Sequence, residues 1–180
     1  MKNILYIHGF RSKFDPTNEK LTTLSEMGNV VGITIDYSDG YDVIKQQLID
    51  YCQTIEIDLI VGTSMGGYMA SLIGAIVSCP FVSINPVLNP SEMLRKYIGV
   101  EDGINQTMLD QFPYFEFSGY GLILLDTGDE SIPYKPTFEK LKSHFSIRIF
   151  EGGNHRFVHM KDALNEIESH MNSSEFIYTI

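Results

Sequence analysis

The chain is poor in positive charge and has no long apolar run. Its 180 residues include 13 Lys and Arg against 23 Asp and Glu, which gives a formal net charge of −10. An acidic surface repels phosphate backbones and anionic headgroups, so we expect neither nucleic acid nor a membrane as a partner. The apolar run within residues 1–9 is too short for a signal-peptide core, and residues 68–77 are too few to span a bilayer.

Cysteine is scarce as well. The only two, Cys52 and Cys79, lie in apolar stretches of the sequence. Two cysteines do not make the disulfide framework of a small secreted domain. We therefore expect two buried, reduced thiols in a cytoplasmic protein.

Short apolar runs alternate with helical patterns along the whole chain. No internal repeat and no Pro/Gly/Ser-rich linker divides it, so the sequence predicts one domain over residues 1–180. The apolar runs are continuous, as in strands that are covered on both faces, which favours an α/β fold with a mostly parallel sheet flanked by helices. Strands are predicted at 4–8, 30–35, 59–62, 81–84, 122–126 and 147–150, and helices at 41–52, 65–77, 134–143 and 159–171.

One connection, residues 85–121, has no strand pattern and is rich in aromatic and methionine side chains. Connections of this length carry their own helices or a function, and 90–97 and 105–112 fit short helices. Two interpretations stay open. The segment is either an extra layer over the sheet or a small helical cap that forms the wall of an apolar pocket.

The strongest motif is G-x-S-x-G at residues 62–66, placed between a predicted strand and a predicted helix. A nucleophilic serine in this position stands on a tight strand-to-helix turn, and flanking side chains would collide with nearby backbone there. Gly62 and Gly66 meet that requirement. Ser64 is therefore the candidate nucleophile, and the amides of the following helix are suited to bind an oxyanion.

A nucleophilic serine needs a base, and in folds with this motif the order along the chain is Ser, Asp or Glu, then His. His155 lies in a Gly-rich loop after a predicted strand, which makes it the candidate base. His144 and His170 lie at the end of a helix and late in the last helix, and we expect both on the surface. His8 precedes the serine, so we expect it to shape its loop.

Three carboxylates follow the strand at 122–126 and compete for the role of the acid. Asp129 comes after the turn at Gly128, from which it can reach His155. Asp126 still belongs to the strand edge, and Glu130 is expected to point to solvent. Asp129 is favoured, and Asp126 stays open.

The sequence carries no complete set of metal ligands at a recognised spacing. His155 and His159 are four residues apart, but Arg156 stands where a zinc protease has Glu, and no further ligand completes a set. We therefore expect no metal site.

Phe10 ends the first strand region, and its backbone N–H together with that of Met65 is predicted to form an oxyanion hole.

Taken together, these blocks resemble the YqiA-like small bacterial esterases of the α/β-hydrolase superfamily. The likeness rests on LYIHGF (5–10), GTSMGGY (62–68), SINP (83–86), TGDE (127–130) and FEGGNH (150–155). It implies a compact α/β-hydrolase fold in which Ser64, Asp129 and His155 form the catalytic triad. It also implies hydrolysis of carboxylic esters, of short acyl esters or thioesters, without a cofactor.

The same constellation serves several reactions, so the sequence leaves alternatives open. An acyl thioesterase would use the same triad. A non-catalytic module would use the cleft for binding without turnover. The sequence leaves the oligomeric state undefined.

Overall fold

A six-stranded parallel sheet forms the centre of the computed structural model, which describes residues 1–97 and 105–173. The strands are β1 Asn3–Ile7, β2 Asn29–Val31, β3 Leu59–Thr63, β4 Phe81–Ile84, β5 Gly121–Asp126 and β6 Ser146–Phe150. Each predicted strand is present, within a few residues of its predicted bounds. The strands lie in the order β2-β1-β3-β4-β5-β6, and every neighbouring pair is parallel.

Helices cover both faces of this sheet, which explains why the four inner strands β1, β3, β4 and β5 are almost entirely buried. The edge strand β6 is largely exposed. The helices are α1 Glu19–Leu24, α2 Tyr41–Thr54, α3 Met65–Val77, α4 Pro90–Met93, α5 Gln106–Leu109, α6 Tyr134–Leu141 and α7 Met160–Ser173, with single 3₁₀ turns at Tyr37–Asp39 and Arg95–Tyr97. On one face of the sheet Leu5, Ile60 and Ile123 pack with α2, α3 and α6. On the other face Val61 and Leu124 pack with α1 and α7.

The second strand is shorter than predicted, and it ends just before a close backbone approach at Gly32. A Cβ at this position would lie 2.5 Å from the Phe14 ring and 2.7 Å from Tyr6 O. The backbone therefore passes closely over its neighbours at residue 32, and β2 ends at Val31.

The described parts of the 85–121 segment form an extra layer on the α3 side of the sheet. Phe112 and Phe115 are buried and make edge contacts with Tyr68, whose hydroxyl donates to Pro113 O at 2.9 Å. The predicted short helices are present in part, as α4 and α5. Residues 98–104 of the predicted cap lie outside the described residues.

The expectation that His170 lies on the surface is wrong. The buried positions of α7 recur every three or four residues, and this spacing places His170 on the face turned toward the sheet. The imidazole is 8% exposed, stacks on Tyr120 at 4.3 Å between ring centroids, and has its pKa lowered by burial. His144, in contrast, is exposed as expected.

The thiols are free, as predicted, although Cys52 is only half-buried while Cys79 is fully buried. Burial raises the pKa of Cys52 to about 11 and that of Cys79 to about 12, so both are protonated near neutral pH. Among the described residues, no helix is long and apolar enough to cross a membrane.

Candidate active site

Ser64 occupies the sharp turn between β3 and α3. Its backbone adopts φ 60° and ψ −120°, a conformation that costs energy for a residue with a side chain. The turn requires the glycines around it. A Cβ at Gly62 would overlap Gly66 O, and a Cβ at Gly66 would overlap Ile7 O in β1. The predicted need for glycine at both positions is therefore confirmed.

The residues predicted to form the oxyanion hole, Phe10 and Met65, are close to Ser64 in the chain or next to a residue that contacts it. Met65 is the first residue of α3, where the N–H groups have no partner within the helix. Phe10 follows Gly9, which is close enough that a Cβ there would lie 3.3 Å from Ser64 Cβ and 3.1 Å from Thr63 O. Phe10 and Ser64 both line one cavity, and the oxyanion role of the Phe10 and Met65 amides stays a prediction.

His155 lies between Ser64 and Asp129. Its Nε2 is 2.9 Å from Ser64 Oγ, and its Nδ1 is 2.9 Å from Asp129 Oδ2. With Nδ1–H donated to the carboxylate, Nε2 accepts the serine hydroxyl. The side chain of Asp129 is 1% exposed, and its Oδ1 accepts the backbone N–H groups of Ser131 and Ile132, each at 2.8 Å.

Asp126, the alternative acid, has a different histidine. Its Oδ1 accepts from His159 Nδ1 at 2.8 Å, and its Oδ2 accepts from the backbone N–H of Asn154 at 3.2 Å. Asn85 joins the same network, since its Oδ1 accepts from Asp126 N at 2.9 Å. Asp126 therefore holds the loop that carries His155.

Two glycines shape that loop. Gly152 and Gly153 both have positive φ, of 78° and 71°. A Cβ at Gly153 would overlap the Asp126 carboxylate, whereas one at Gly152 would meet nothing within 4 Å. The loop is further tied by the His155 N–H, which donates to Glu130 Oε2 at 3.0 Å. Glu130 is exposed, as expected, and this hydrogen bond to His155 is a contact that sequence reasoning did not foresee.

His8 shapes its loop, as predicted. Its Nε2 accepts from Ile35 N at 2.8 Å, its Nδ1 donates to Gly9 O at 2.9 Å, and its ring is 1% exposed. Burial lowers the pKa of His8, in keeping with a neutral ring that has one donating and one accepting nitrogen.

A cavity of about 750 Å³ opens beside Ser64 and His155. Its walls come from the loop after β1, from α1, and from residues 154–161. Of the residues that the structure describes, none from the 85–121 segment lines it. The described residues also include no group of three or more His, Cys, Asp or Glu side chains placed to hold a metal ion.

Comparison with known proteins places the chain in a family. The model of the "Uncharacterised protein family (UPF0227)" matches residues 3–172. The chain belongs to the UPF0227 family. Within it, the UPF0227 protein YcfP of Escherichia coli O7:K1 (strain IAI39 / ExPEC) is 27% identical over 177 residues, covering 92% of this chain and 97% of YcfP.

Solved structures show the fold of this UPF0227 chain. Est1E from Butyrivibrio proteoclasticus matches with a TM-score of 0.71 at 14% identity, covering 97% of this chain and 88% of Est1E. The monoacylglycerol lipase of Paleococcus ferrophilus matches with a TM-score of 0.66 at 13% identity, covering 96% and 94%. The UPF0227 chain thus has the predicted α/β-hydrolase fold, a parallel six-stranded sheet flanked by helices.

Proposed function

We propose that this chain is a serine esterase that hydrolyses carboxylic esters with short acyl chains through an acyl-enzyme on Ser64. The observation that carries the proposal is the unbroken chain of hydrogen bonds from Ser64 through His155 to Asp129, with 2.9 Å at each step. A hydroxyl, a base and an orienting carboxylate at these distances are the groups that acyl transfer to serine requires.

In the first step, Ser64 Oγ attacks the ester carbonyl carbon while its proton passes to His155 Nε2. The resulting imidazolium is stabilised by Asp129, whose carboxylate is buried and held by two backbone N–H groups. The tetrahedral intermediate then collapses, the carbon–oxygen bond to the alcohol breaks, and His155 gives its proton to the leaving oxygen. The products of this step are the alcohol and acyl-Ser64.

In the second step, water attacks the acyl-enzyme with His155 as the base, and the acid leaves with Ser64 restored. In both steps the carbonyl oxygen becomes negative. The backbone N–H groups of Phe10 and Met65 are assigned as its donors, because one begins α3 and the other follows Gly9 beside the serine.

The preference for short acyl esters extends the likeness to YqiA-like esterases. The fold shared with a monoacylglycerol lipase is consistent with an ester substrate, although one fold serves many reactions. A comparison of ester and thioester substrates therefore shows whether the leaving group is an alcohol or a thiol.

The proposal is tested with matched panels of p-nitrophenyl esters, acyl thioesters and anilides. We expect hydrolysis of p-nitrophenyl butyrate, and a loss of several orders of magnitude in kcat for Ser64→Ala and for His155→Gln. A Ser64→Ala variant as active as the parent would overturn the mechanism. Hydrolysis of thioesters alone would make the chain a thioesterase, and labelling of Ser64 without turnover of any substrate would make it a binding module.

A further inference from the structure

The cavity beside Ser64 has the opposite charge to the rest of the protein. Of the 13 Lys and Arg in the chain five line it, whereas among the acidic residues that the structure describes two do, Asp15 and Glu19. The five cations are Arg11, Lys13, Lys20, Arg156 and Lys161. Positive side chains are therefore concentrated at the mouth of the candidate active site, although the formal net charge of the chain is −10.

Lys20 lies deepest among these cations. Its Nζ donates to Arg156 O at 2.7 Å and to Thr63 Oγ1 at 3.4 Å, next to Ser64. Within the described part of the chain, no carboxylate lies within ion-pair distance of Nζ. An ammonium has three donors, so one remains to meet a ligand in the cavity.

Lys20 also lies near a second cation. Burial and the charge of Arg156 lower the pKa of Lys20 to about 8, and the carboxylate of Asp126 offsets part of this shift. Two like charges that face one cavity repel each other, and an anion bound between them would relieve the repulsion. Arg156 and Lys161 extend the positive wall past His155 toward solvent, and both side chains are exposed.

We propose that the ester hydrolysed at Ser64 carries an anionic group, a carboxylate or a phosphate, which binds Lys20, Arg156 and Lys161 in this cavity. This inference rests on the proposed esterase function and names the substrate class. The uncharged part of the ester then lies at Ser64 and His155, and the charged part lies along the wall formed by α1 and the start of α7.

Two pairs of substrates test the proposal, since the two anions have different shapes. Mono-p-nitrophenyl adipate is compared with p-nitrophenyl hexanoate, and 1-butyrylglycerol 3-phosphate with 1-butyrylglycerol. We expect the charged member of at least one pair to have a kcat/KM at least about tenfold higher, as charge-assisted hydrogen bonds allow. The pair with the larger ratio identifies carboxylate or phosphate as the preferred group, and the ratio should fall as salt is added.

Variants at the cavity cations test whether these side chains cause the higher kcat/KM of the charged esters. Arg156→Gln and Lys161→Gln, both at exposed side chains, should lower the charged-to-neutral ratio severalfold, and Lys20→Met should lower it most. Lys135→Gln, an exposed cation on α6 outside the cavity, is the matched control and should keep the parent ratio. A parent ratio of one or less in both pairs, or a high ratio that none of the three cavity variants lowers, would overturn the proposal.

If no ester is hydrolysed, the proposed function fails, and direct binding then decides the anion site separately. Isothermal titration calorimetry with adipate and with inorganic phosphate should show one binding site in the parent and in Lys135→Gln, and weaker binding in Lys161→Gln. No heat of binding with either anion would then overturn the anion site.

Discussion

His159 Nδ1 lies 2.8 Å from Asp126 Oδ1, so the two candidate acids have separate histidines. The other oxygen of Asp126 accepts the N–H of Asn154, one residue before His155. One Asp–His pair therefore supports the loop, and the pair of Asp129 and His155 leads to Ser64.

Asp129→Asn should reduce activity with little loss of fold. An amide that keeps its oxygen on the Ser131 and Ile132 amides presents its NH₂ to His155 and forces the proton onto Nε2. The imidazole then cannot accept the Ser64 proton, and we expect kcat to fall by roughly 10⁴-fold, the typical cost of the wrong histidine tautomer in a Ser-His-Asp triad. Steady-state kinetics and thermal unfolding of the purified variant measure the two effects.

Asp126→Asn should reduce stability more than activity. Each carboxylate oxygen of Asp126 accepts one N–H donor. The side chain of Asn has a single oxygen, so it can accept only one of these two donors. A buried donor without a partner costs about 1–3 kcal/mol, so we expect that loss in the free energy of unfolding and a smaller loss in kcat than for Asp129→Asn. If Asp126→Asn were the less active of the two at equal stability, the assignment of the acid would be reversed.

Gly153→Ala should disrupt the His155 loop. The new Cβ would overlap the Asp126 carboxylate at a backbone φ of 71°. Gly152→Ala is the matched control, because its φ of 78° is equally unfavourable while its Cβ would meet nothing. We expect about 1–2 kcal/mol of destabilisation for Gly152→Ala from the backbone alone, and a larger loss together with lower kcat for Gly153→Ala. Equal effects of the two changes would contradict the role given to the Asp126 contact.

His8→Leu should lower stability without removing the proposed base, His155. The change removes the acceptor of the buried Ile35 N–H and should lower the free energy of unfolding by about 1–3 kcal/mol. Covalent labelling of Ser64 should persist, although more slowly, because His155 is untouched. In His155→Gln we expect the opposite result, near-parent stability with labelling lost; loss of labelling in His8→Leu at full stability would argue for His8 as the base.

Lys20 should give the stability of the protein a measurable dependence on pH. Its pKa is about 8 in the folded chain against an ordinary value of 10.5, so the folded state disfavours the protonated form. This penalty is fully present below pH 8 and disappears as pH rises to 10.5. Between pH 7 and pH 10, the free energy of unfolding measured in urea should therefore rise less, or fall more, in Lys20→Met than in the parent. Lys135→Met should behave like the parent.

Local chemistry made much of the site predictable from sequence. The Ser64 turn demands glycine at two positions, and a fixed chain order links the serine to Asp129 and His155. The choice between Asp126 and Asp129 depended on side-chain directions at the end of β5, and these follow from packing against His159. No sequence pattern near Asp126 reports that contact.

The sequence analysis missed helix α1, the burial of His170 and the positive cavity, and of these only the cavity depends wholly on contacts between distant segments. Helix α1 has only six residues, although Asn18, which accepts from Lys20 N, is a recognisable cap residue. The burial of His170 could be read from its spacing with Met160, Ala163 and Ile167 on α7. The positive cavity could not, because its walls come from segments more than a hundred residues apart.

The central claim is that Ser64 is a nucleophile activated by His155, and intact-protein mass spectrometry after exposure to a fluorophosphonate tests it most directly. The account predicts one adduct per chain, mapped to Ser64, absent in Ser64→Ala and formed orders of magnitude more slowly in His155→Gln. An adduct on another residue, or labelling of Ser64→Ala at the parent rate, would contradict it.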